Sequence, residues 1–513
     1  MAHLPTSSFN DVNALDLSRK HLVFSLPIMR LTTINTMNLR PGIVHSYGVT
    51  TRTRSGSVAP PISFDQRQHC ARGQRPGSWM AVSFSLPRAA TLSQISTAYH
   101  HLIAHHGTMQ TVVVNSADPR LEVVNVCQGN WHPETGGMDG DEQFDPRPIL
   151  REVFDRCCNP FASPSHQLCV VDHRAGTAQA TRVGEPMEDA TVIIGFDHSH
   201  TDAWSLLVTI RDFTALLDAV VSGTDPATVL TPTLSFGDHS RQLVERNGAP
   251  EHVVARWREH LADGTMPVFP GDLGDLSEPR SQVVDVIDIF DANELIAFDD
   301  ASAAKDMSML GLAVAAMAPV KAVFPIHSRR QPLTPAETWD NAMGWFITNS
   351  ILDCPDVGTE PGHADASHAA AARTIMDAIR ETIQLGSYPL APIMEPWGGK
   401  MPATKGMFAI SWLDNRKLPV DIEPGLEPQH ISAEIKTDGV MAWFVSNDDG
   451  MHLRVRYPDT PEARQSVPAW CRKVVATMRA EVQDSVEAGL PVTVCAPAAT
   501  LTGSKPDPEP ASA

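Results

Sequence analysis

Apolar residues recur along the chain at spacings that alternate between helix and strand. Between residues 92 and 103 they recur every three or four positions, and a strand-like run (TVVV) follows at 111–114. A second helical pattern covers residues 206–220. In the second half, the alternating run 283–289 (VVDVIDI) and the apolar run 408–412 (FAISW) favour strands. These patterns predict a mixed α/β fold, in the form of an α+β sandwich.

The length of the chain predicts two large units. A sequence of 513 residues exceeds the usual size of one hydrophobic core. A polar region rich in Pro and Gly at 248–279 separates the two patterned halves, so we expect a linker there. The predicted organisation is a flexible N-terminus (1–20), a first lobe (21–247), this linker, a second lobe (280–492) and a disordered tail (493–513).

Composition excludes several classes of protein. The formal net charge is −20, and no cluster of Lys and Arg suits nucleic acid. The eight cysteines show no metal-type spacing, which favours reduced thiols in a cytosolic protein. The N-terminal residues lack the pattern of a signal peptide, and Pro319 and Lys321 interrupt the longest apolar stretch, 307–326. We therefore expect a cytoplasmic protein without a membrane span.

The most informative segment is 193–205 (IIGFDHSHTDAWS), where an apolar run leads into a cluster of His and Asp. His198, His200 and Asp202 fit the HxHxD string of binuclear metallohydrolases. That signature needs a further histidine where this chain has Ala203, and no later set of ligands is apparent. A metallohydrolase is therefore a remote alternative, and the predicted set of metal ligands is none.

The same segment also fits the HHxxxDG motif of acyl transfer, with Asp197 in place of the first histidine and Ala203 in place of the glycine. On this motif the chain resembles the condensation-domain and chloramphenicol-acetyltransferase-like superfamily. Within it, the chain is most similar to the polyketide-associated (PapA-type) acyltransferases. Other segments resemble the superfamily in the same order along the chain, namely Leu39–Gly42 (LRPG), Pro60–Phe64 (PPISF), the helix ending near His106, Gly344-Trp345-Phe346 with Asn349, and the strand Phe408–Asn415, which resembles a strand that crosses between lobes.

The resemblance implies two chloramphenicol-acetyltransferase-like lobes in a V-shaped pseudo-dimer with a central tunnel. It implies that His198 is the general base, since a neutral imidazole can accept a proton from a hydroxyl near neutral pH. Asp202 is expected to support the motif by pairing with an arginine. The candidates for that arginine are Arg67, Arg329, Arg330 and Arg416.

The resemblance also implies the substrates. The donor is expected to be an acyl-coenzyme A or an acyl carrier protein, and the acceptor a hydroxyl of a sugar or glycolipid such as trehalose. No cofactor is implied, and peripheral contact with a membrane is left open. The residues expected to line the tunnel are Trp204, Gly344, Trp345, Phe346, Asn349 and Ser411. Of these, Asn349, Ser411 and the Trp204 indole are the candidate oxyanion donors.

Two further alternatives remain open. An amide-forming condensation enzyme would use the same machinery on an amine. A catalytically silent interaction module would be consistent with Ala203, because glycine is used where the backbone needs a positive φ or a close approach. His200 and the pairs His100-His101 and His105-His106 are expected to be structural, with the pairs on a solvated or capping face.

Overall fold

The fold is described from a computed structural model of the chain. The structure describes residues 30–115, 117–134, 145–173, 184–246, 248–330, 338–357, 364–423 and 425–487. The predicted flexible ends, 1–20 and 493–513, lie outside these residues. The described cysteines carry free thiols, as the sequence predicts.

Both halves of the described chain contain strands and helices. The strands are β1 (Arg30–Thr33), β2 (Ile43–Thr53), β3 (Trp79–Ser85), β4 (Thr111–Val114), β5 (Arg120–Glu134), β6 (His166–Asp172), β7 (Ala190–Asp197), β8 (Arg280–Asp291), β9 (Val320–His327), β10 (Ile347–Cys354), β11 (Phe408–Asp414), β12 (Gln429–Ser432), β13 (Lys436–Thr437), β14 (Val440–Asn447) and β15 (Gly450–Pro458). The mixed α/β prediction is therefore confirmed.

The helices cover the sheets and connect their strands. They are α1 (Phe64–Cys70), α2 (Leu92–His105), α3 (Arg147–Cys157), α4 (Ala203–Ser222), α5 (Phe236–Glu245), α6 (Glu251–His260), α7 (Ala292–Ala304), α8 (Met309–Met317), α9 (Ala364–Leu385), α10 (Leu390–Ile393) and α11 (Pro461–Glu487). Within the described part of the chain, none of them has the length and hydropathy needed to cross a bilayer.

The first sheet has eight strands in the order β1-β12-β3-β7-β6-β2-β5-β4. Its member β12 comes from the second half of the chain. This strand pairs antiparallel with β3, with Ile431 opposite Ala81, and parallel with β1. The two halves are therefore interlocked through main-chain hydrogen bonds.

The second sheet has seven strands in the order β10-β9-β11-β14-β15-β8-β13. The predicted strand at 408–415 is present as β11, but it pairs with β14 and β9 inside this second sheet. The expectation that it contributes to the crossing between halves is wrong. The strand β12 makes that crossing, and its short apolar run gave no distinctive sequence signal.

Side chains alternate across the second sheet as pleating requires. On one face, Ala442, Phe444 and Leu453 are buried in a core that includes residues of α7, α8, α9 and α11. On the opposite face, Trp443 lies beside Arg454 in the register of β14 and β15. Elsewhere on this opposite face, Val323, Ile351 and Ala409 pack into a second core with Trp257 and Leu385.

The segment expected to be a linker, 248–279, contains the packed helix α6. Its Trp257 is fully buried, and the Trp257 indole Nε1 donates a hydrogen bond to the Leu385 carbonyl at 3.2 Å. This region is therefore anchored to the second half of the chain.

The crossing strand generates a stability prediction. Ile431 is fully buried in a cluster with Ile34 and Trp79, so Ile431→Ala should reduce the free energy of unfolding by about 2–5 kcal/mol. The matched control is Ile383→Ala on α9, where the side chain is 46% exposed and the change should stay within about 0.5 kcal/mol. Urea unfolding followed by circular dichroism measures both. Equal midpoints for the two variants would show that β12 does not hold the halves together.

Candidate active site

The motif lies where the sequence places it, between a strand and a helix. The buried strand β7 ends at Asp197, a short 3₁₀ turn covers His198–His200, and α4 begins at Ala203. Two carboxylates from the motif itself cap these elements. Asp197 accepts a hydrogen bond from the Ser199 backbone N–H at 2.9 Å, and Asp202 accepts one from the Ser205 backbone N–H at 2.7 Å.

Asp202 is fully buried and pairs with Arg329. The Arg329 Nη2 atom lies 3.1 and 3.4 Å from the two carboxylate oxygens, and the Phe346 backbone N–H also donates to Asp202, at 3.0 Å. Burial by itself would raise the pKa of Asp202. The positive charge of Arg329, followed by His327 and the hydrogen bonds from Ser205, outweighs it, so the pKa is lowered and the carboxylate stays ionised.

Arg329 is also fixed by the segment before the Gly-Trp-Phe motif. Its Nη1 atom donates to the carbonyls of Trp339 and Ala342, at 2.7 and 2.6 Å. Among the other candidate partners, Arg67 pairs with Asp118 and Arg416 with Asp414, while the side chain of Arg330 lies outside the described residues. The structure thus selects Arg329 as the partner of Asp202.

His198 is packed against an aromatic ring from the other half of the chain. Its imidazole stacks on Trp345 with the ring centroids 4.2 Å apart and an angle of 29°. The ring is part-exposed, and within the described residues its buried Nδ1 atom makes no well-formed hydrogen bond. This leaves Nε2 as the atom through which a substrate would meet the ring.

Burial, followed by the nearby His69, lowers the pKa of His198. The imidazole is therefore neutral at neutral pH and has a lone pair to accept a proton. This protonation state is the one that a general base requires.

Asp197, which stands in place of the motif's first histidine, is held in a network of its own. It accepts hydrogen bonds from the Ser78 hydroxyl at 2.7 Å and the Ser199 hydroxyl at 2.5 Å. The His69 Nε2 atom lies 3.1 Å from its Oδ1 atom. Burial would raise the pKa of Asp197, but His69 and the two serines lower it to about 2.

His69 is a site residue that sequence reasoning missed. Its ring centroid lies 6.1 Å from that of His198 and 5.3 Å from that of Trp345. The Arg75 guanidinium donates to its Nδ1 atom at 2.9 Å, which leaves the Nε2–H group to donate to Asp197. The capping box at Ser63 is the sequence signal for the short helix that carries His69. No sequence pattern predicts that this helix lies next to the motif.

The other residues predicted to line the tunnel differ in how deeply they are buried. Trp204 and Phe346 are buried, and the Trp204 indole Nε1 atom donates to the Asp340 carbonyl at 3.1 Å. As packed here, that indole is committed and does not serve as an oxyanion donor. Asn349 donates to the Asp65 carboxylate at 3.1 Å, and Ser411 lies beside Trp443 on the second sheet.

Gly344 has a conformational role. Its φ is +158°, and a Cβ atom at this position would lie 2.4 Å from the Phe236 side chain. Its backbone N–H donates to the Ser205 hydroxyl at 3.1 Å, and that hydroxyl donates to the Gly344 carbonyl at 2.9 Å. Gly344 therefore sets the close contact between its segment and α4.

Among the described residues, His198, His200 and Asp202 do not form a group whose ligand atoms could share one metal ion. His200 is buried; its Nδ1 atom lies 2.8 Å from the Ser199 hydroxyl and its Nε2 atom 3.1 Å from the Thr111 carbonyl. Both of its nitrogens are thus engaged inside the first half of the chain. His200 is structural in this arrangement.

A second group of His and Asp lies at the end of α2. His105, His106 and Asp212 could offer ligand atoms within 4.8 Å of one another. Asp212 is already held by His106 at 2.9 Å and by Arg211. His106 is the C-cap of α2, which fits the expected capping position, and its ring is buried.

Comparisons with known proteins agree with this geometry. No family model matches the chain. The acyltransferase PapA3 of Mycobacterium tuberculosis is 24% identical over 316 residues, which cover 58% of this chain and 64% of PapA3. The match thus spans less than two thirds of that relative's length.

Solved structures extend the likeness to most of the chain. The PapA2 acyl transferase superposes with a TM-score of 0.70 at 19% identity, over 88% of this chain and all of PapA2. The chain has a condensation-domain fold. A condensation domain associated with the enacyloxin polyketide synthase superposes with a TM-score of 0.57 at 16% identity, over 87% of this chain and 86% of the other. The predicted resemblance to PapA-type acyltransferases is confirmed.

The Asp202–Arg329 pair generates a second prediction. Arg329→Met leaves the Asp202 carboxylate buried without its partner, so it should destabilise the protein by about 3–5 kcal/mol. Arg67→Met removes an exposed ion pair and should cost no more than about 1 kcal/mol. Thermal and urea unfolding measure both, and a double variant Asp202→Asn/Arg329→Met should cost less than the sum of its single changes. Additive costs would show that the two side chains are not coupled.

Proposed function

We propose that the chain is an acyltransferase that moves an acyl group from a thioester to a hydroxyl, with His198 as the general base. The observation that carries the proposal is the neutral imidazole of His198, which is stacked on Trp345 and leaves Nε2 open. The Asp202–Arg329 pair supports the loop from beneath. The similarity to PapA3 and PapA2 supports the same class of reaction.

The reaction balances without a cofactor. As the acceptor hydroxyl attacks the thioester carbonyl, its proton passes to His198 Nε2 and a C–O bond forms. The tetrahedral intermediate then collapses, the C–S bond breaks, and the imidazolium returns the proton to the leaving sulfur. The products are an ester and a free thiol.

The donor in this proposal is acyl-coenzyme A or an acyl carrier protein, and the acceptor is a small molecule or glycolipid with a free hydroxyl, such as trehalose. The other residues proposed to line the substrate path are Trp345 and Ser411. Trp345 stacks on His198, and Ser411 is part-exposed beside Trp443 on the second sheet. An amine acceptor would make the protein an amide-forming enzyme with the same base.

Ala203 does not argue against activity. It is the first helical residue of α4, and the residues with positive φ among the described non-glycine positions are Asn115, Asp306 and Glu427. The glycine of the motif is therefore not needed here for a left-handed backbone. A catalytically silent module remains the alternative that a lack of turnover would support.

The first test removes the proposed base. His198→Ala should lower kcat by about 10²–10⁴-fold, because general-base catalysis contributes that much to the rate. The assay follows thiol release from acyl-coenzyme A with a panel of alcohols and amines. His368→Ala, an exposed histidine on α9, is the matched control and should retain wild-type turnover. Turnover that survives in His198→Ala would exclude this residue as the base.

The second test is the pH profile. The active form of His198 is the neutral ring and its pKa is lowered, so kcat/KM should fall only as the pH drops through a midpoint below 6.5. Above that midpoint the rate should reach a plateau. Initial rates from pH 4.5 to 8.5 at constant ionic strength measure it. A midpoint above 7 would contradict the proposed burial effect.

A further inference from the structure

Two arginines lie side by side on β15, Arg454 buried and Arg456 half-buried, and neither has an acidic partner among the described residues. Arg454 and Arg456 are two positions apart on one strand, so their side chains leave the same face of the second sheet, about 7 Å apart at the backbone. Arg454 is 2% exposed, and the Nε atoms of both residues are buried without a hydrogen-bond partner among the described residues. Within the same residues, no carboxylate lies within ion-pair distance of either guanidinium.

Both guanidinium groups pack on one indole. The Arg454 and Arg456 guanidinium carbons lie 4.6 and 5.3 Å from the centroid of the Trp443 ring. Arg454 Nη2 also donates to the Ser432 hydroxyl at 2.9 Å. The neighbour of Arg454 on β8 is Val286, whose side chain is 55% exposed, so solvent reaches this face of the sheet. The pair thus borders a surface that a small molecule can approach.

A buried cation without a counter-charge is costly. Burial lowers the pKa of Arg456 to about 10, and burial together with the charge of Arg456 lowers the pKa of Arg454 to about 9. Both remain positive at neutral pH. Arg329, by contrast, has the carboxylate of Asp202 against it. An anion seated between Arg454 and Arg456 would offset the same kind of cost.

The pair is connected to the proposed base. Ser432, which holds Arg454, belongs to the crossing strand β12, as does His430. Burial, together with the charges of Arg454 and His198, lowers the pKa of His430 to about 3. Through β12, Arg454 is therefore electrostatically linked to the neighbourhood of His198.

We propose that Arg454 and Arg456 form a binding site for an oxyanion of the phosphate or sulfate type that is carried by one of the substrates. The inference rests on the proposed acyl transfer for its substrate, but the site itself rests on the arginines alone. Two guanidinium groups on one strand can each donate two hydrogen bonds to a tetrahedral anion. The anion belongs either to the phosphates of the thioester donor or to an anionic acceptor.

The first experiment measures binding without turnover. Sodium sulfate is titrated into the purified full chain, with sodium chloride at matched ionic strength, and Tm and calorimetric binding are followed. The wild type should show saturable stabilisation by sulfate, and Arg454→Met and Arg456→Met should weaken sulfate binding at least about tenfold. Arg464→Met, an exposed arginine paired with Asp459, is the control and should bind sulfate like the wild type.

The Tm measured without sulfate distinguishes an anion-binding site from a pair of arginines that only stabilises the fold. If the two arginines form an anion site, Arg454→Met should have the same Tm as the wild type or a higher one when sulfate is absent. The reason is that the change removes an uncompensated buried charge. Arg454→Lys retains the positive charge and should keep part of the sulfate affinity. A wild type that responds to sulfate no more than to chloride, or methionine variants that bind sulfate unchanged, would overturn the site.

The second experiment identifies the source of the anion. KM is compared for acyl-coenzyme A and for the N-acetylcysteamine thioester of the same acyl group, each with a neutral alcohol and with its sulfated analogue. A rise in KM for acyl-coenzyme A alone in Arg454→Met assigns the site to the donor, and a rise that follows the sulfated acceptor assigns it to the acceptor. Equal KM values in all arms would contradict a substrate role. Sulfate binding without any acyl transfer would contradict the proposed function and leave the site standing.

Discussion

The buried ion pair between Asp202 and Arg329 is the interaction on which the candidate site depends. Asp202 comes from the loop that carries His198, and Arg329 from the turn that follows β9 in the other half of the chain. Both charges are withdrawn from water, so the pair is tolerable only because backbone groups of Trp339, Ala342 and Phe346 complete its hydrogen bonds. The pair therefore fixes the loop that positions the His198 imidazole.

The two halves of the chain build the site together. The ring that stacks on His198 is Trp345, which follows the segment that binds Arg329. The crossing strand β12 places His430 and Ser432 of the second half inside the first sheet. Main-chain hydrogen bonds, an ion pair and an aromatic stack all join the two halves in this region. Displacement of one half would therefore disturb His198, the Asp202–Arg329 pair and Trp345 together.

The departures from the HHxxxDG motif are explained by local structure. Asp197 uses its two carboxylate oxygens to fix the turn and to hold His69 beside the base, which a histidine at this position could not do in the same way. Ala203 begins α4 with ordinary helical geometry. The chain thus keeps the second histidine and the aspartate of the motif, and changes the residues around them.

Short stretches of sequence were enough to predict much of the fold and the position of the motif. The alternating apolar patterns, the strand-to-helix position of His198 and Asp202, and the resemblance to PapA-type acyltransferases depend on residues close together in the chain. Only the tertiary structure showed which arginine pairs with Asp202 and that His69 lies beside His198. It also showed that β12, and not β11, crosses between the halves. The packing of Arg454 and Arg456 on one indole likewise appeared only in the structure. These contacts join residues far apart in sequence, and such pairings are set by the packing of whole sheets, which no short pattern records.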